Sequence, residues 1–275
     1  MICFPTCKIN LGLRITQKRA DGFHALETVF YPLSLTDALE IITADADITA
    51  PLTFTSSGLA INGDTSDNLC CKAYWLLKKD FPNIPNIKMH LHKNIPMGAG
   101  LGGGSSDGAF TLTLLNQLFD LQISQNKLMQ YALTLGSDCP FFILNSPTFA
   151  TGRGEILTPT NVNLDGYSIV IINPGIGIST KTAFSFITPK QPSTHIPEIL
   201  QLPISSWRDT LINDFEAPIF KAYPALQNIK ETLYQKGAVY AAMTGTGSTV
   251  YGIFETNNIP EISFDFPPNY FVYIQ

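Results

Sequence analysis

Pro96-Met97-Gly98-Ala99-Gly100-Leu101-Gly102-Gly103-Gly104-Ser105-Ser106-Asp107 is the most informative run in the chain. Five of the seven residues from 98 to 104 are glycine, a Ser-Ser pair follows, and a helical run extends from Ala109 to Leu118. Without a Cβ, glycine reaches positive φ and lets successive N–H groups turn toward one point. The helix that follows adds unpaired N–H groups and the positive end of its dipole at the same place. Together these features form an anion site suited to phosphate. A flexible linker is the competing reading, but the strand-like run Ile87 to His92 precedes this stretch and a helix follows it directly.

The type of phosphate loop is narrowed by what accompanies it. Gly98, Gly100 and Gly103 satisfy G-x-G-x-x-G, the dinucleotide fingerprint. That fingerprint expects an acidic residue at the end of a second strand about twenty residues on, whereas Asp120 follows a helix. A Walker A loop needs Gly-Lys-Ser/Thr, and the loop holds no lysine. The protein-kinase glycine loop joins two strands and opens no helix.

Other segments carry candidate chemistry. In Thr6 to Ile15, Ile9, Leu11, Leu13 and Ile15 alternate with Lys8, Asn10 and Gly12. This predicts a strand with one apolar face and one polar, open strip suited to a ligand. Lys8 taken alone also fits a solvated strand lysine. Arg19-Ala20-Asp21-Gly22-Phe23-His24 reads as a turn, in which His24 alone would be a surface histidine. Strands are expected at about 25–32, 38–44 and 48–55, then a helix over 68–80 with Asp67 as N-cap. Ser124 is expected to cap a helix ending near Leu135. In Gly136-Ser137-Asp138-Cys139-Pro140, the glycine closes that helix, the proline starts a short new one, and Asp138 falls near its N-cap. Gly152-Arg153-Gly154-Glu155 reads as a turn, Tyr167 to Asn173 as a strand, and a helix begins with Thr180 and Phe184. Residues 187–203, with four prolines, read as irregular, and helices are expected at 206–216 and 223–236. Thr244-Gly245-Thr246-Gly247-Ser248 lies between strands at 239–243 and 249–254, a pattern that fits a plain hairpin as well as a site. Helices and strands do not alternate regularly, which predicts an α+β fold.

The 275 residues contain 45% hydrophobic and only 14% charged residues, as expected of a packed globular chain of one large or two modest domains. A net charge of −5 gives no general attraction to nucleic acid or an anionic membrane, so phosphate must be met by local donors. No apolar run approaches the ~20 residues of a membrane span, and Met1 to Pro5 has no charged leader, so a cytoplasmic location is expected. Five cysteines suggest neither a disulfide framework nor a structural zinc site. His90 and His92 share a strand face that fits a solvent edge better than a metal, and no protein-only metal site is expected.

The run Pro96 to Ser106 resembles the ATP loop of the small-molecule kinases named for galactose, homoserine, mevalonate and phosphomevalonate. The Arg-Ala-Asp-Gly-Phe-His turn is similar to that of the diphosphocytidyl branch of these enzymes, and the likeness extends over essentially the whole chain. It implies a ribosomal-S5-like N-terminal domain, 1–157, and a ferredoxin-like C-terminal domain, 158–275. It further implies that ATP is held by Pro96, Met97, Gly98, Ala99, Gly100, Leu101, Gly102, Gly103, Gly104, Ser105 and Ser106, with Asn68 at the adenine and Lys93 reaching the nucleotide. Asn68 fits a helix cap equally well. Lys8 and Asp138 occupy the positions of the catalytic lysine and aspartate. Asn10, Phe23, His24, Thr180 and Phe184 fall where the substrate is held, with Phe23 in place of the frequent tyrosine. Thr244 to Ser248 matches the third motif of these kinases, which packs against the phosphates.

The activity implied is transfer of the γ-phosphoryl group of ATP, with Mg²⁺ and either Ser105 or Ser106 as a ligand, to a hydroxyl of a cytidine-diphosphate-linked methylerythritol on the non-mevalonate isoprenoid route. No nucleic-acid, membrane or obligate protein partner is expected. Two other readings stay open from sequence: a kinase of the same superfamily acting on homoserine or a mevalonate, and a nucleotide-binding module without catalysis.

Overall fold

The computed structural model describes residues 1–256 and 266–275. The described elements are β1 (Ile2–Cys3), β2 (Thr6–Lys18), β3 (His24–Thr36), β4 (Ala38–Thr43), β5 (Leu52–Gly58), α1 (Leu69–Asp80), β6 (Ile87–Lys93), α2 (Gly103–Leu118), α3 (Gln125–Leu135) and α4 (Cys139–Leu144). They continue with β7 (Thr148–Thr151), β8 (Ile156–Pro159), β9 (Tyr167–Asn173), α5 (Thr180–Ser185), α6 (Ile196–Ile199), α7 (Glu216–Ala222), α8 (Pro224–Gln235), β10 (Tyr240–Met243), β11 (Val250–Glu255) and β12 (Phe271–Ile274). Two compact units interleave along the chain. One comprises residues 1–7, 33–97 and 102–146, and the other 8–32, 98–101 and 147–275.

In the first unit a four-stranded sheet has the order β1-β4-β6-β5. β4 pairs antiparallel with β6, and β5 pairs with it in parallel. Alternation along β6 buries Ile87, Met89, Leu91 and also Lys93, because side chains two apart share a face of the sheet. His90 and His92 occupy the other face, where the Ser57 hydroxyl meets both rings at 2.8 and 2.9 Å. α1 packs on α2. At Gly108 an added Cβ would stand 2.9 Å from that of Leu69, so the helices approach closely there. The cap of α1 is Asn68, whose Oδ1 accepts from Cys70 N at 2.8 Å; the Asp67 expected there lies in a preceding 3₁₀ turn.

In the second unit the sheet β10-β11-β9-β12 is antiparallel throughout. Val170, Ile172, Met243, Phe254 and the α8 residues Leu226 and Ile229 share one apolar core with Leu13 and Ile15 of β2. The third sheet has the order β2-β3-β7-β8. Its short strands β7 and β8 were not expected, since four-residue strands carry little periodicity.

Two further expectations are corrected. Residues 206–216 do not form a helix. A 3₁₀ turn at Ile204–Ser206 leads into turns and a bridge between Leu13 and Asn213. There the Trp207 indole N–H donates to Leu202 O (3.0 Å), and the Asn213 side chain donates to Met243 O and Gly245 O. Nor is the polar strip of β2 open, because Lys8 and Asn10 are each 3% exposed and Gly12 is buried. At Gly12, φ is +67° and an added Cβ would fall 2.7 Å from a Leu211 methyl, so the segment after α6 covers the strand there.

Candidate functional site

Lys8 reaches the first part of the glycine loop from β2. Its backbone N–H donates to Leu101 O at 2.9 Å, and its Nζ donates to Gly100 O at 3.0 Å and to Asn10 Oδ1 at 2.6 Å. The ammonium also stands 5.2 Å from the centroid of Phe30, a cation–π contact. Asn10, expected at the substrate, is instead built into the fold. Its Oδ1 also accepts from Thr244 Oγ1 and Gly245 N, and its Nδ2 donates to Thr28 Oγ1. Its place is behind Lys8, fixing where the ammonium points.

The second glycine segment is both a hairpin loop, between β10 and β11, and a partner of the first. Thr244 Oγ1 donates to Gly100 O at 3.2 Å, and Thr249 N donates to Ala99 O at 3.2 Å. The backbones nearly touch: an added Cβ on Gly100 would stand 2.2 Å from Thr244 O, and one on Gly245 would stand 3.0 Å from Gly100 Cα. Only glycine fits such an approach, and both residues hold positive φ. Thr244, expected from sequence only as part of the third motif, is thus tied directly to the first loop and to Asn10. Its only signal in the sequence was its place beside the second glycine pair.

In the first unit α2 begins at Gly103, with Gly102 at the cap in a left-handed conformation (φ +73°) and without a side-chain cap bond. The first-turn N–H groups are thus left for a ligand. Gly104 is exposed, Ser105 half-buried and Ser106 fully buried. Among the described residues, Ser106 Oγ and Asp107 Oδ1 have no hydrogen-bond partner. Lys93, expected at the nucleotide, is enclosed instead. It is 2% exposed, its Nζ is paired with Asp37 and with Asp107 (2.8 Å), and an added Cβ on Gly103 would stand 3.2 Å from it. Asp37 Oδ1 also accepts from the backbone of Asn94 and Ile95. Burial works against the ammonium, but Asp107 and Asp37 overcome it and raise its pKa. Burial likewise pushes the Asp107 carboxyl up to about 7, against the pull of Lys93.

Asp138 stands at the N-cap position of α4, half-exposed, without a side-chain capping bond. Capping therefore does not account for it. The neighbouring Cys139 is buried, which pushes its thiol up to about 12. All five cysteines are free thiols.

In the second unit, residues distant in sequence come together. The His24 ring, at the start of β3, stacks on Phe184 of α5 with centroids 4.9 Å apart and planes at 24°. Phe184 in turn meets Phe215 edge-on at 4.9 Å. Phe23 is 53% exposed, and Thr180, the first residue of α5, is exposed. The aromatic pair His24 and Phe184 thus forms a wall next to an outward-facing ring.

The GHMP kinases N terminal domain matches residues 68–146, and the GHMP kinases C terminal domain matches residues 202–266. The 4-diphosphocytidyl-2-C-methyl-D-erythritol kinase of Bacteroides thetaiotaomicron is 52% identical over 263 residues, 95% of each chain. This chain belongs to that kinase family, a branch of the GHMP kinases. A crystal structure of 4-(cytidine 5'-diphospho)-2C-methyl-D-erythritol kinase superposes with a TM-score of 0.85 at 28% identity, covering 100% of this chain and 98% of the other. The Methanococcus jannaschii mevalonate kinase shares the GHMP fold, with a TM-score of 0.72 at 13% identity over 100% and 97% of the two chains. The α+β two-domain kinase architecture expected from sequence is that of this family, and so is ATP-dependent kinase activity.

Proposed function

We propose that this GHMP kinase transfers the γ-phosphoryl group of ATP to a hydroxyl of 4-diphosphocytidyl-2-C-methyl-D-erythritol, a step of the non-mevalonate isoprenoid route. The observation that carries the acceptor reading is the stacking of His24 on Phe184, 160 residues away in sequence, next to an exposed Phe23. A base needs flat apolar faces and one polar edge, and this group of side chains supplies both. Thr180 lies on the same short helix as Phe184 and is assigned to the same ligand.

Phosphoryl transfer is mostly positioning and stabilisation of spread charge. The loop from Pro96 to Ser106 is assigned to the phosphates, with its backbone N–H groups and the start of α2 as donors. Lys8, its ammonium fixed by Asn10 and Gly100, stabilises charge on the transferred group and lowers the pKa of the attacking hydroxyl. Asp138 accepts or orients the proton of that hydroxyl. Asn68 stays assigned to the adenine in addition to its cap, and the division of labour between residues 1–157 and 158–275 is part of the same proposal.

Magnesium fits the start of α2. It takes oxygen ligands and shares them with nucleotide phosphates. Ser105, half-buried, offers a reachable hydroxyl, while Ser106 is fully enclosed. Bound there, the ion would neutralise charge on the phosphates. Among the described residues no helix is long and apolar enough to cross a membrane, and a cytoplasmic location belongs to the proposal.

Removing one well-placed electrostatic group commonly costs roughly 10²–10³ in rate. Lys8→Ala and Asp138→Asn are each expected to lose turnover on that scale while retaining ATP affinity in a titration. Near-normal turnover in either variant would remove that residue from the mechanism.

A further inference from the structure

β2 and β3 are joined by the turn at residues 19–23, and β7 and β8 by the turn at 152–155. β3 and β7 are neighbours with Thr28 opposite Ala150, so both turns emerge at the same end of the sheet. Leu26 N donates to Gly152 O at 2.8 Å and ties them together.

Each turn is internally fixed. In the first, Arg19 Nε and Nη2 donate to Asp21 Oδ2 at 3.0 and 2.9 Å, and Asp21 Oδ1 accepts from Phe23 N at 3.1 Å. That geometry holds Phe23 outward. In the second, the Glu155 carboxylate accepts the backbone N–H of Arg153 and lies 3.7 Å from its Nε. Gly152 has φ +69°, and an added Cβ would stand 2.6 Å from Glu155 Oε2, so the turn is shaped around that carboxylate. It aims Arg153 across to the first turn, where the guanidinium carbon stands 4.7 Å from the centroid of Phe23.

We propose that Arg153 is a positioning residue for the nucleobase of the acceptor, bracing Phe23 from one side so that the ring is held ready for a pyrimidine. The inference rests on the cytidyl reading of the site given above. A phenylalanine has no polar handle of its own, and an exposed ring loses rotamer freedom when a ligand orders it. A guanidinium stacked on one face removes part of that freedom beforehand. The Arg19–Asp21 pair fixes the backbone of the turn, and Arg153 fixes the side chain it presents.

The test is calorimetric titration of the full chain with cytidine 5′-diphosphate, using ADP as a control for the donor site. Arg153→Met is expected to weaken cytidine diphosphate binding about two- to fivefold, the range of an exposed cation–π contact. It should leave ADP binding unchanged and raise the acceptor KM without lowering kcat. Arg153→Lys, which keeps a cation, should recover part of the loss. In a Phe23→Leu background, Arg153→Met should have no further effect. An equal loss in both backgrounds, a parallel loss of ADP affinity, or no loss at all would overturn the inference while leaving the cytidyl reading intact. If the wild-type chain binds no cytidine diphosphate, the acceptor reading fails and the inference falls with it.

Discussion

Lys93, Asp37 and Asp107 place two carboxylates around one ammonium where water is excluded. A buried charge is tolerated only when it is paired, and here one carboxylate is in excess. Asp107 is the carboxyl that gives way, its pKa raised from 3.8 to about 7. A carboxyl raised on folding favours the fold as the neutral acid. Its contribution is present below about pH 4 and is lost as pH rises toward about 7. Asp107→Asn leaves a neutral Lys93–Asp37 pair and removes this titration. Urea unfolding of wild type and variant at several pH values should show wild-type stability falling relative to Asp107→Asn between about pH 4 and about pH 7. Parallel curves would contradict the assignment.

Residue types at the site were readable because each brought an unusual neighbourhood, as with Lys8 in a strand that also carries Asn10 and Gly12. Their burial was not readable. Strand periodicity tells which residues share a face, but not that residues some 200 positions later, Leu211 and Thr244, cover it. Asp107 ends the glycine-loop run, where no periodic signal marks it as the partner of Lys93. That pairing depends on β6 turning its last residue inward.

Among the elements, the glycine stretch is the most instructive. The helical pattern is visible only from Ala109, yet α2 starts at Gly103. Glycine is a poor helix former, so the first turn is read as loop although its backbone is helical. Gly104 and Gly100 separate the roles within this element. At Gly104 an added Cβ meets nothing within 4 Å, whereas at Gly100, with φ +79°, it would collide with Thr244 O at 2.2 Å. Gly104→Ala is therefore expected to stabilise the chain by about 0.5 kcal/mol and, if the turn cradles the phosphates as proposed, to raise the KM for ATP severalfold. Gly100→Ala should destabilise by more than about 1 kcal/mol, read as a lower urea midpoint. A Gly104→Ala variant with unchanged KM for ATP would argue against the phosphate cradle.

Other elements were legible for plain reasons. Ser124 accepts from Lys127 N as a cap for α3, and Pro140 sits in the first turn of α4. The region 206–216 was not legible, because Trp207 and Asn213 are held by tertiary hydrogen bonds that override its helical spacing.

For the molecule as a whole, the mixed element order pointed to α+β, and the kinase family confirms that class. The interleaving of the two units was hidden, since β2 and β3 are thirteen residues each and contribute to both. With a net charge of −5 the chain offers no general field to attract a nucleotide. Under the proposed function, recognition of ATP and of a diphosphate-linked alcohol is assigned to local donors, to Lys8 and to the aromatic group around His24. Specificity for the acceptor is the central claim, because the glycine loop alone would serve any GHMP kinase. It is tested most directly by supplying the purified chain with MgATP and, in separate reactions, 4-diphosphocytidyl-2-C-methyl-D-erythritol, homoserine and mevalonate, and measuring product mass. The account predicts one added phosphoryl group on the cytidyl alcohol and none on the other two. Phosphorylation of homoserine or mevalonate with the cytidyl alcohol unchanged would contradict it.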